Sequence, residues 1–315
     1  MDLKGIGGIW PASLTPFDTA GAIDDAALHA HVAELAGTSG VRAVVVNGHA
    51  GETASLTRAE RAHVIGAAKA ATGGKAGVVA GIVADDTRGA VALARDAAQA
   101  GADALLLFPP ALFAQGANAR PEMASRFVAE VAQAAGLPIV LFQLSLGSGL
   151  GFSNEVLLRL CRENESIIAI KEGSDTPQAY EDNLAALRGL DRQVTVLTTN
   201  NSWLMASLAY GGDGILSGIG SVASPILVEI FAAMARGDLA AARRANARLR
   251  PLCRAFYRAP HLDAHNRMKT ALHLLGKLPN PDPRAPLLPI EAEERAAIAQ
   301  ALIGAGLMPG RAAAA

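Results

Sequence analysis

The chain has 315 residues, of which 51% are hydrophobic and 18% are charged, and its formal net charge is −1. This composition is typical of a globular protein, and the near-zero charge without blocks of like charge argues against a nucleic-acid or anionic-membrane partner. No apolar run is long enough to span a bilayer, and the first residues lack a signal-peptide pattern. We therefore expect a cytoplasmic protein in which both cysteines, Cys161 and Cys253, are free thiols.

Short apolar runs alternate with longer helical stretches along the first three quarters of the chain. The runs are continuous rather than alternating, which is typical of parallel strands covered on both faces. Thr57 and Glu60 have the spacing of a helix capping box. The predicted strands are residues 8–13, 41–47, 76–82, 103–108, 138–143, 167–171, 194–199 and 213–218. The predicted helices between them are residues 24–38, 57–71, 86–100, 121–135, 154–163, 177–188 and 202–210.

Eight strand–helix units in this length predict the α/β class and a (β/α)8 TIM barrel over residues 1–235. A doubly wound open sheet would carry a phosphate-binding glycine loop after its first strand. Here the first strand is followed by Leu14-Thr15-Pro16-Phe17 instead. The barrel is therefore the better interpretation.

The strand pattern ends after Ser224-Pro225. Helices are predicted at residues 226–236, 239–257, 267–275 and 291–304. We expect them to form a helical C-terminal domain over residues 236–309. A disordered tail is predicted at residues 310–315.

One lysine stands at the place where a TIM barrel builds its active site, the carboxyl ends of the strands. Of six lysines, Lys171 alone directly follows a buried strand, Ile167-Ile168-Ala169-Ile170. Apolar surroundings lower the pKa of a lysine amine, which leaves a nucleophile suited to carbonyl carbon. The alternative is a structural ion pair with Glu172 or another carboxylate.

Several motifs resemble, in order, those of the dihydrodipicolinate synthase / N-acetylneuraminate lyase family, and the resemblance runs from about Ile6 to Leu288. No single motif is specific, but their order and their places on the predicted barrel are. The motifs are Leu14-Thr15-Pro16-Phe17, Gly48-His49-Ala50-Gly51-Glu52 with Ser55-Leu56-Thr57, Ile170-Lys171-Glu172-Gly173-Ser174, residues 212–218 with Ser221 and Pro225, Lys269-Thr270-Ala271-Leu272, and Pro283-Arg284-Ala285-Pro286-Leu287.

The resemblance implies that Lys171 forms an imine with a 2-oxo acid, usually pyruvate, without a cofactor or a metal. It also implies that residues 48–50 line the pocket for the acid's carboxylate, partly through backbone N–H groups. The predicted catalytic residues are Lys171 and His49. The predicted substrate-binding residues are Thr15, Gly48, Ala50, Phe142, Gln143 and Gly218.

The sequence departs from the family at the positions that move protons. Phe142 stands where the family has a tyrosine, and Ala50 and Ala111 lack the hydroxyls of the family's relay. No arginine occurs near Gly147, where synthases of the family bind a second carboxylate. His49 replaces a relay residue, so we expect it to titrate near neutrality and to act as an acid or base. A packing role is the alternative.

The remaining histidines are interpreted as surface or packing residues of helices and of the C-terminal segment. They are His29, His31, His63, His261, His265 and His273. The three tyrosines, Tyr180, Tyr210 and Tyr257, lie within or near predicted helices, and none is at a strand end.

An apolar wall from Phe142, Leu144 and Leu146 indicates a substrate with a less polar distal group than a dicarboxylate.

We therefore expect a class I carbon–carbon or carbon–oxygen lyase, either a pyruvate-type aldolase or a 2-oxo-3-deoxy sugar acid dehydratase. Its expected partners are a small 2-oxo acid and further copies of itself, in a dimer or tetramer. One alternative is a non-catalytic 2-oxo acid binding or sensor protein on the same fold. Another is 4-hydroxy-tetrahydrodipicolinate synthase proper, which the missing relay and carboxylate clamp make doubtful.

Overall fold

The computed structural model describes residues 1–309 and contains one eight-stranded parallel sheet. The strand order is β1-β8-β7-β6-β5-β4-β3-β2, and isolated parallel bridges from Ile9 to Val41 and from Ala12 to Val45 join the two end strands. The sheet thus closes on itself, and the predicted (β/α)8 barrel is confirmed. The strands are β1 Gly8–Pro11, β2 Ala43–Val46, β3 Gly77–Ile82, β4 Ala104–Leu107, β5 Ile139–Gln143, β6 Ile167–Glu172, β7 Thr195–Thr198 and β8 Gly214–Ser217.

Helices surround the barrel and continue beyond it. The helices of the strand–helix units are α1 Asp25–Gly37, α2 Arg58–Thr72, α3 Thr87–Gln99, α4 Pro121–Ala135, α5 Asn154–Glu163, α6 Pro177–Arg188, α7 Leu204–Ala209 and α8 Gly220–Ala235. The helices after the barrel are α9 Leu239–Phe256, α10 Ala264–Leu274 and α11 Ala292–Gly304. None of the helices within residues 1–309 is both long enough and apolar enough to cross a lipid bilayer.

Local signals in the sequence set most helix ends. The capping box of Thr57 and Glu60 is present, and the Asp86 side chain caps α3 by accepting from Gly89 N. The span of α8 is interrupted at Ala223, where φ is −129° and ψ is 31°, so a short turn from Gly220 precedes the main helix. The helix predicted from Ile226 therefore begins slightly earlier, with Pro225 in its first turn, where proline is tolerated.

The alternation of side chains along β6 decides what faces the barrel interior. Ala169 belongs to the buried cluster inside the barrel, with Trp10, whereas Ile170 belongs to the cluster between strands and helices. Successive side chains of a strand point to opposite faces. Lys171 therefore points into the barrel, and Glu172 points toward the helices.

Both cysteines are free thiols, as predicted; Cys161 is buried and Cys253 is partly buried. Helices α8, α9, α10 and α11 pack on one another. A separate domain over residues 236–309 stays a prediction. The tail predicted to be disordered, residues 310–315, lies outside the described residues.

Candidate active site

A cavity of about 1040 Å³ opens at the carboxyl ends of the strands. Part of its wall comes from the barrel and part from the segment after α9. Of the predicted site residues, those that line it are Gly48, His49, Ala50, Phe142, Lys171 and Gly218. Residues after α9 that line it include Tyr257, His261, His265, Met268 and Arg284.

The Lys171 amine lies on this wall without a charged partner. Its residue is 7% exposed, and the Nζ atom is 4.0 Å from the centre of the Phe142 ring and 5.9 Å from that of Phe108. Among the described residues it makes no ion pair and no side-chain hydrogen bond. Burial alone lowers the pKa of Lys171 to about 7. About half of the amine is therefore a free nucleophile at neutral pH.

Glu172 does not pair with Lys171, because it lies on the other face of β6. Its carboxylate accepts from Asn183 Nδ2 at 3.0 Å, from Asn200 Nδ2 at 3.2 Å, and from the backbone and hydroxyl of Ser174. Burial raises the pKa of this carboxyl. The bonds hold the loops after β6 and β7 in place, so the ion-pair alternative for Lys171 is not observed.

The turn after β2 presents unused backbone donors to the cavity. Gly51 N and Glu52 N donate to Gly48 O and His49 O, both at 3.1 Å, whereas no acceptor within the described residues bonds the N–H groups of His49 and Ala50. The turn packs tightly on the neighbouring strand, since a Cβ at Gly81 would collide with the Asn47 carbonyl. Consecutive free N–H groups of this kind form an anion-binding nest.

His49 faces the cavity beside two aromatic rings. Its ring centre is 4.8 Å from that of Phe108 and 6.2 Å from that of Phe142. The imidazole remains exposed to the solvent that fills the cavity, but the protein around it, with the charges of Lys171 and His265, lowers the pKa of His49 to about 4. This direction argues against the expectation that His49 titrates near neutrality and favours an uncharged imidazole at neutral pH. Its role as an acid or base stays a prediction.

Thr15 and Gln143 do not line the cavity and instead position the loops that do. Thr15 Oγ1 donates to Gly51 O at 2.9 Å, inside the turn after β2. Gln143 Nε2 donates to Phe152 O at 2.7 Å, and Gln143 Oε1 accepts from Phe152 N at 3.1 Å. Both side chains are 1% exposed. Their predicted direct contact with substrate is not supported by their placement, because these bonds turn both groups toward backbone.

A buried ion pair fixes the turn from its other side. Glu52 is 4% exposed and pairs with Lys269 of α10, which is fully buried. The Lys269 amine also lies 4.1 Å from the centre of the Phe17 ring, and Arg284 lies 4.3 Å from that ring. Arg284 N donates to Glu52 Oε2 at 3.2 Å. The motifs that are distant in sequence thus meet behind residues 48–52.

Sequence reasoning missed Tyr257, which lines the cavity just after α9. Its hydroxyl oxygen accepts from Ile219 N at 3.1 Å and lies 3.3 Å from Ser217 Oγ. Ser217 Oγ in turn donates to Asn201 Oδ1 at 2.7 Å. Because the Ser217 proton is directed to Asn201, Tyr257 is the donor in its own contact with Ser217. Its position follows from how α9 packs across the barrel, which no local pattern reveals.

His265 was also missed. It lines the cavity from α10, and its buried Nε2 atom has no hydrogen-bond partner within the described residues. Burial lowers the pKa of His265. Residues 1–309 contain no group of three or more His, Cys, Asp or Glu side chains that could hold a metal ion. The absence of a metal from the reaction stays a prediction.

Residues 5–304 match the model of the Dihydrodipicolinate synthetase family. The chain is 33% identical over 312 residues to a 4-hydroxy-tetrahydrodipicolinate synthase of Kineococcus radiotolerans, which covers 98% of this chain and 96% of the relative. It is also 33% identical over 299 residues to the protein of the same name in Methanothrix thermoacetophila, with 94% and 95% covered.

Solved structures show the same likeness. YagE, a prophage protein of the dihydrodipicolinic acid synthase family from E. coli K12, was solved in complex with pyruvate and superposes with a TM-score of 0.87 at 25% identity. That match covers 96% of this chain and 99% of YagE. A dihydrodipicolinate synthase of Agrobacterium tumefaciens superposes with a TM-score of 0.83 at 30% identity, with 96% and 98% covered.

Proposed function

We propose, from the premise that this chain belongs to the dihydrodipicolinate synthetase family, that it is a class I lyase which forms a Schiff base between Lys171 and a 2-oxo acid. The observation that carries the proposal is the Lys171 amine, which faces the cavity without a carboxylate partner and has a pKa lowered to about 7. The pyruvate in the structure of YagE supports the substrate class.

The first step joins the amine to the ketone. The uncharged Nζ of Lys171 attacks C2 of the 2-oxo acid, and the carbonyl oxygen leaves as water after it has taken up two protons. The carboxylate of the acid would lie at the free N–H groups of His49 and Ala50, which places C2 toward β6. No metal or cofactor takes part in this step.

The protonated imine then withdraws electrons from C3. Cleavage of the C3–C4 bond gives an enamine and an aldehyde, whereas loss of the C3 proton and the C4 hydroxyl gives a dehydrated product. We propose a pyruvate-type aldolase, which needs a base that takes the proton of the C4 hydroxyl, or a 2-oxo-3-deoxy sugar acid dehydratase, which needs an acid that protonates the departing C4 hydroxyl. The water that leaves when the imine forms needs an acid in both cases.

Tyr257 is our candidate for that acid, since Phe142 has no hydroxyl. Burial raises the pKa of Tyr257, so its hydroxyl is protonated at physiological pH and can donate but not accept a proton at first. The phenolate formed by donation would be held by Ile219 N–H, which already donates to the oxygen. We propose that His49, as an uncharged imidazole, donates a hydrogen bond to the bound acid.

Trapping with borohydride tests the Schiff base. Wild-type protein incubated with pyruvate and sodium borohydride should gain the mass of one reduced pyruvate adduct, read by intact-protein mass spectrometry. Lys171→Ala should gain none. Lys75→Ala is the matched control, because Lys75 is exposed at the opposite end of the barrel, and it should retain the adduct.

Two outcomes would contradict the proposal. One is a wild-type protein that gains no adduct with pyruvate or any other 2-oxo acid. The other is an adduct of unchanged yield on Lys171→Ala, which would assign the reaction to another amine.

A non-catalytic 2-oxo acid sensor is the second candidate, and the missing hydroxyls at Phe142, Ala111 and Ala50 favour it. Exchange of the C3 hydrogens of pyruvate with deuterium from the solvent, measured by NMR, distinguishes the sensor from the lyase. A lyase should catalyse the exchange through its enamine. A sensor should form the adduct without exchange.

4-Hydroxy-tetrahydrodipicolinate synthase proper is the name of the sequence relatives. That reaction would require the cavity to accept an aldehyde with its own carboxylate. The charged side chains that line the cavity argue against such an acceptor.

A further inference from the structure

We infer that the distal part of the substrate, the part beyond C3, is uncharged and carries an aliphatic or aromatic group rather than a second carboxylate. This inference rests on the proposed function, because it concerns the same cavity and assumes that the 2-oxo acid end is held at Lys171. It goes beyond what the names of the relatives state.

The positively charged side chains that line the cavity are poorly suited to bind a second carboxylate. Lys171 is consumed by the imine, and the Arg284 guanidinium is already bonded to both oxygens of Glu60, at 2.6 and 3.0 Å. The pKa values of His49 and His265 are lowered, chiefly by desolvation, which disfavours a positive charge on either ring. Within residues 1–309, the lining therefore offers no buried cation that lacks a partner and could neutralise a distal carboxylate.

The nearest carboxylate at the rim of the cavity is also unfavourable for a second carboxylate of the substrate. Asp175 lines the cavity after β6, is exposed, and makes no ion pair with another described residue. It lies beside Gly147, since a Cβ built there would be 3.2 Å from Asp175 Oδ2. Because Asp175 and His261 are both exposed, solvent and salt weaken the influence of either side chain, and the repulsion from Asp175 is small.

Three polar side chains of the wall are occupied by the protein itself. Asn200 Nδ2 donates to Glu172, Asn201 donates to Thr199 O and accepts from Ser217, and Ser174 donates to Glu172. These three groups are therefore not free to bind the hydroxyls of a long sugar chain.

Apolar side chains supply most of the remaining wall. Phe142 and Leu144 from the end of β5 line the cavity, as the sequence indicated, whereas Leu146 is 54% exposed and does not. The further apolar lining residues are Val83, Leu106, Trp203, Leu262, Met268, Pro286 and Leu287. An aliphatic or aromatic distal group would bury its surface here, which favours binding.

A competition between two 2-oxo acids of equal length tests the inference without assuming cleavage or dehydration. 2-Oxohexanoate and 2-oxoadipate differ only in the distal methyl or carboxylate. Trapped with cyanoborohydride in an equimolar mixture, the wild type should give at least tenfold more 2-oxohexanoate adduct by intact mass. 4-Phenyl-2-oxobutanoate should compete with 2-oxohexanoate, and 2-oxo-3-deoxygluconate should not.

Variants of the wall should change the ratio in a defined direction. Leu144→Arg, which adds a cation to the apolar wall, should raise the 2-oxoadipate share about tenfold, and Asp175→Asn should raise it a few-fold. Asp191→Asn is the matched control, because Asp191 is an exposed carboxylate in the loop that precedes β7, away from the cavity, and it should leave the ratio unchanged.

The outcomes separate the two proposals. An excess of the 2-oxoadipate or the 2-oxo-3-deoxygluconate adduct would overturn the inference and leave the Schiff-base function intact. Absence of every adduct, pyruvate included, would overturn the proposed function and the inference together.

Discussion

Lys171 and Lys269 are both buried, and each amine lies at nearly the same distance from the centre of an aromatic ring. The Lys171 amine is 4.0 Å from the Phe142 ring, and the Lys269 amine is 4.1 Å from the Phe17 ring. Glu52 pairs with Lys269, whereas no carboxylate of residues 1–309 pairs with Lys171. The comparison teaches that burial and an aromatic contact do not by themselves distinguish a candidate nucleophile from a structural lysine. The presence or absence of a carboxylate partner does.

The two amines are expected to differ in the charge they carry. Burial lowers the pKa of both, but at Lys269 the Glu52 carboxylate opposes the effect. At Lys171 nothing opposes it, so the amine loses its proton near neutrality. One lysine is a structural cation and the other a reactive base.

Replacing Lys171 should have the largest effect and should act on reactivity and stability in opposite directions. Lys171→Met should abolish the pyruvate adduct and raise the free energy of unfolding at pH 7 by about 4 kcal/mol, since the chain no longer discharges an amine on folding. Urea unfolding would measure the gain. A variant that is less stable than the wild type at pH 7 would contradict the unpaired state of the amine.

Lys269→Met should lower the stability and leave adduct formation at Lys171 intact. It leaves the Glu52 carboxylate buried without a partner, so the free energy of unfolding should fall by about 3–5 kcal/mol. The fraction that remains folded should still form the adduct on Lys171. The double variant Lys269→Met with Glu52→Gln should recover part of the loss. Equal losses in the single and double variants would show that the ion pair does not couple these residues.

The pH dependence of the trapping rate should further distinguish the unpaired Lys171 amine from the paired Lys269 amine. The trapping rate should rise about fiftyfold from pH 5 to pH 7 and less than about threefold above that, because only the uncharged amine reacts and its pKa is about 7. The unfolded lysine binds more protons than the folded one between pH 7 and about 10.4, so folding becomes more favourable as pH rises through that window.

The contribution of Lys171 to this pH dependence is the difference in the free energy of unfolding between Lys171→Met and the wild type. This difference should have its full value below pH 7 and should vanish toward pH 10. A trapping rate that is flat from pH 5 to pH 7 would show that the amine is already uncharged at pH 5 or that another step limits the reaction.

The smallest expected effect concerns Tyr257, which comes from the same C-terminal part of the chain as Lys269 but faces the cavity. Tyr257→Phe keeps the ring and removes the hydroxyl, so imine formation should slow about tenfold to a hundredfold while its final yield is retained. The time course of trapping measures this. Ser217→Ala should slow the reaction less. An unchanged rate in Tyr257→Phe would remove the residue from the mechanism.

The barrel was predictable because its strands are short, continuous apolar runs separated by helices with visible caps. Every strand of the structure lies within a predicted strand or extends it by one residue, as β6 does at Glu172. The short turn that precedes the kink at Ala223 had no signal in the sequence, whereas Pro225 marks the start of the main helix.

The site residues at strand ends could be predicted from the sequence. Those supplied by the C-terminal segment, which folds back over the barrel, could not. Lys171, Phe142 and the turn after β2 follow from period-two alternation and strand ends. Tyr257 and His265 enter the cavity through the packing of α9 and α10, and helical periodicity alone does not say which part of the barrel a helix will cover. The low pKa of His49 depends on neighbours that are remote in sequence.

The wall supplied by residues after Tyr257 has a consequence for fragments of the protein. In an unfolded chain the Lys171 amine is solvated and has the pKa of an ordinary lysine, so it is mostly protonated at neutral pH. A fragment that lacks the residues after Tyr257 would keep Lys171 but lose His265, Met268 and Arg284 from the wall. We therefore expect truncation to impair selection among 2-oxo acids before it removes the lysine itself.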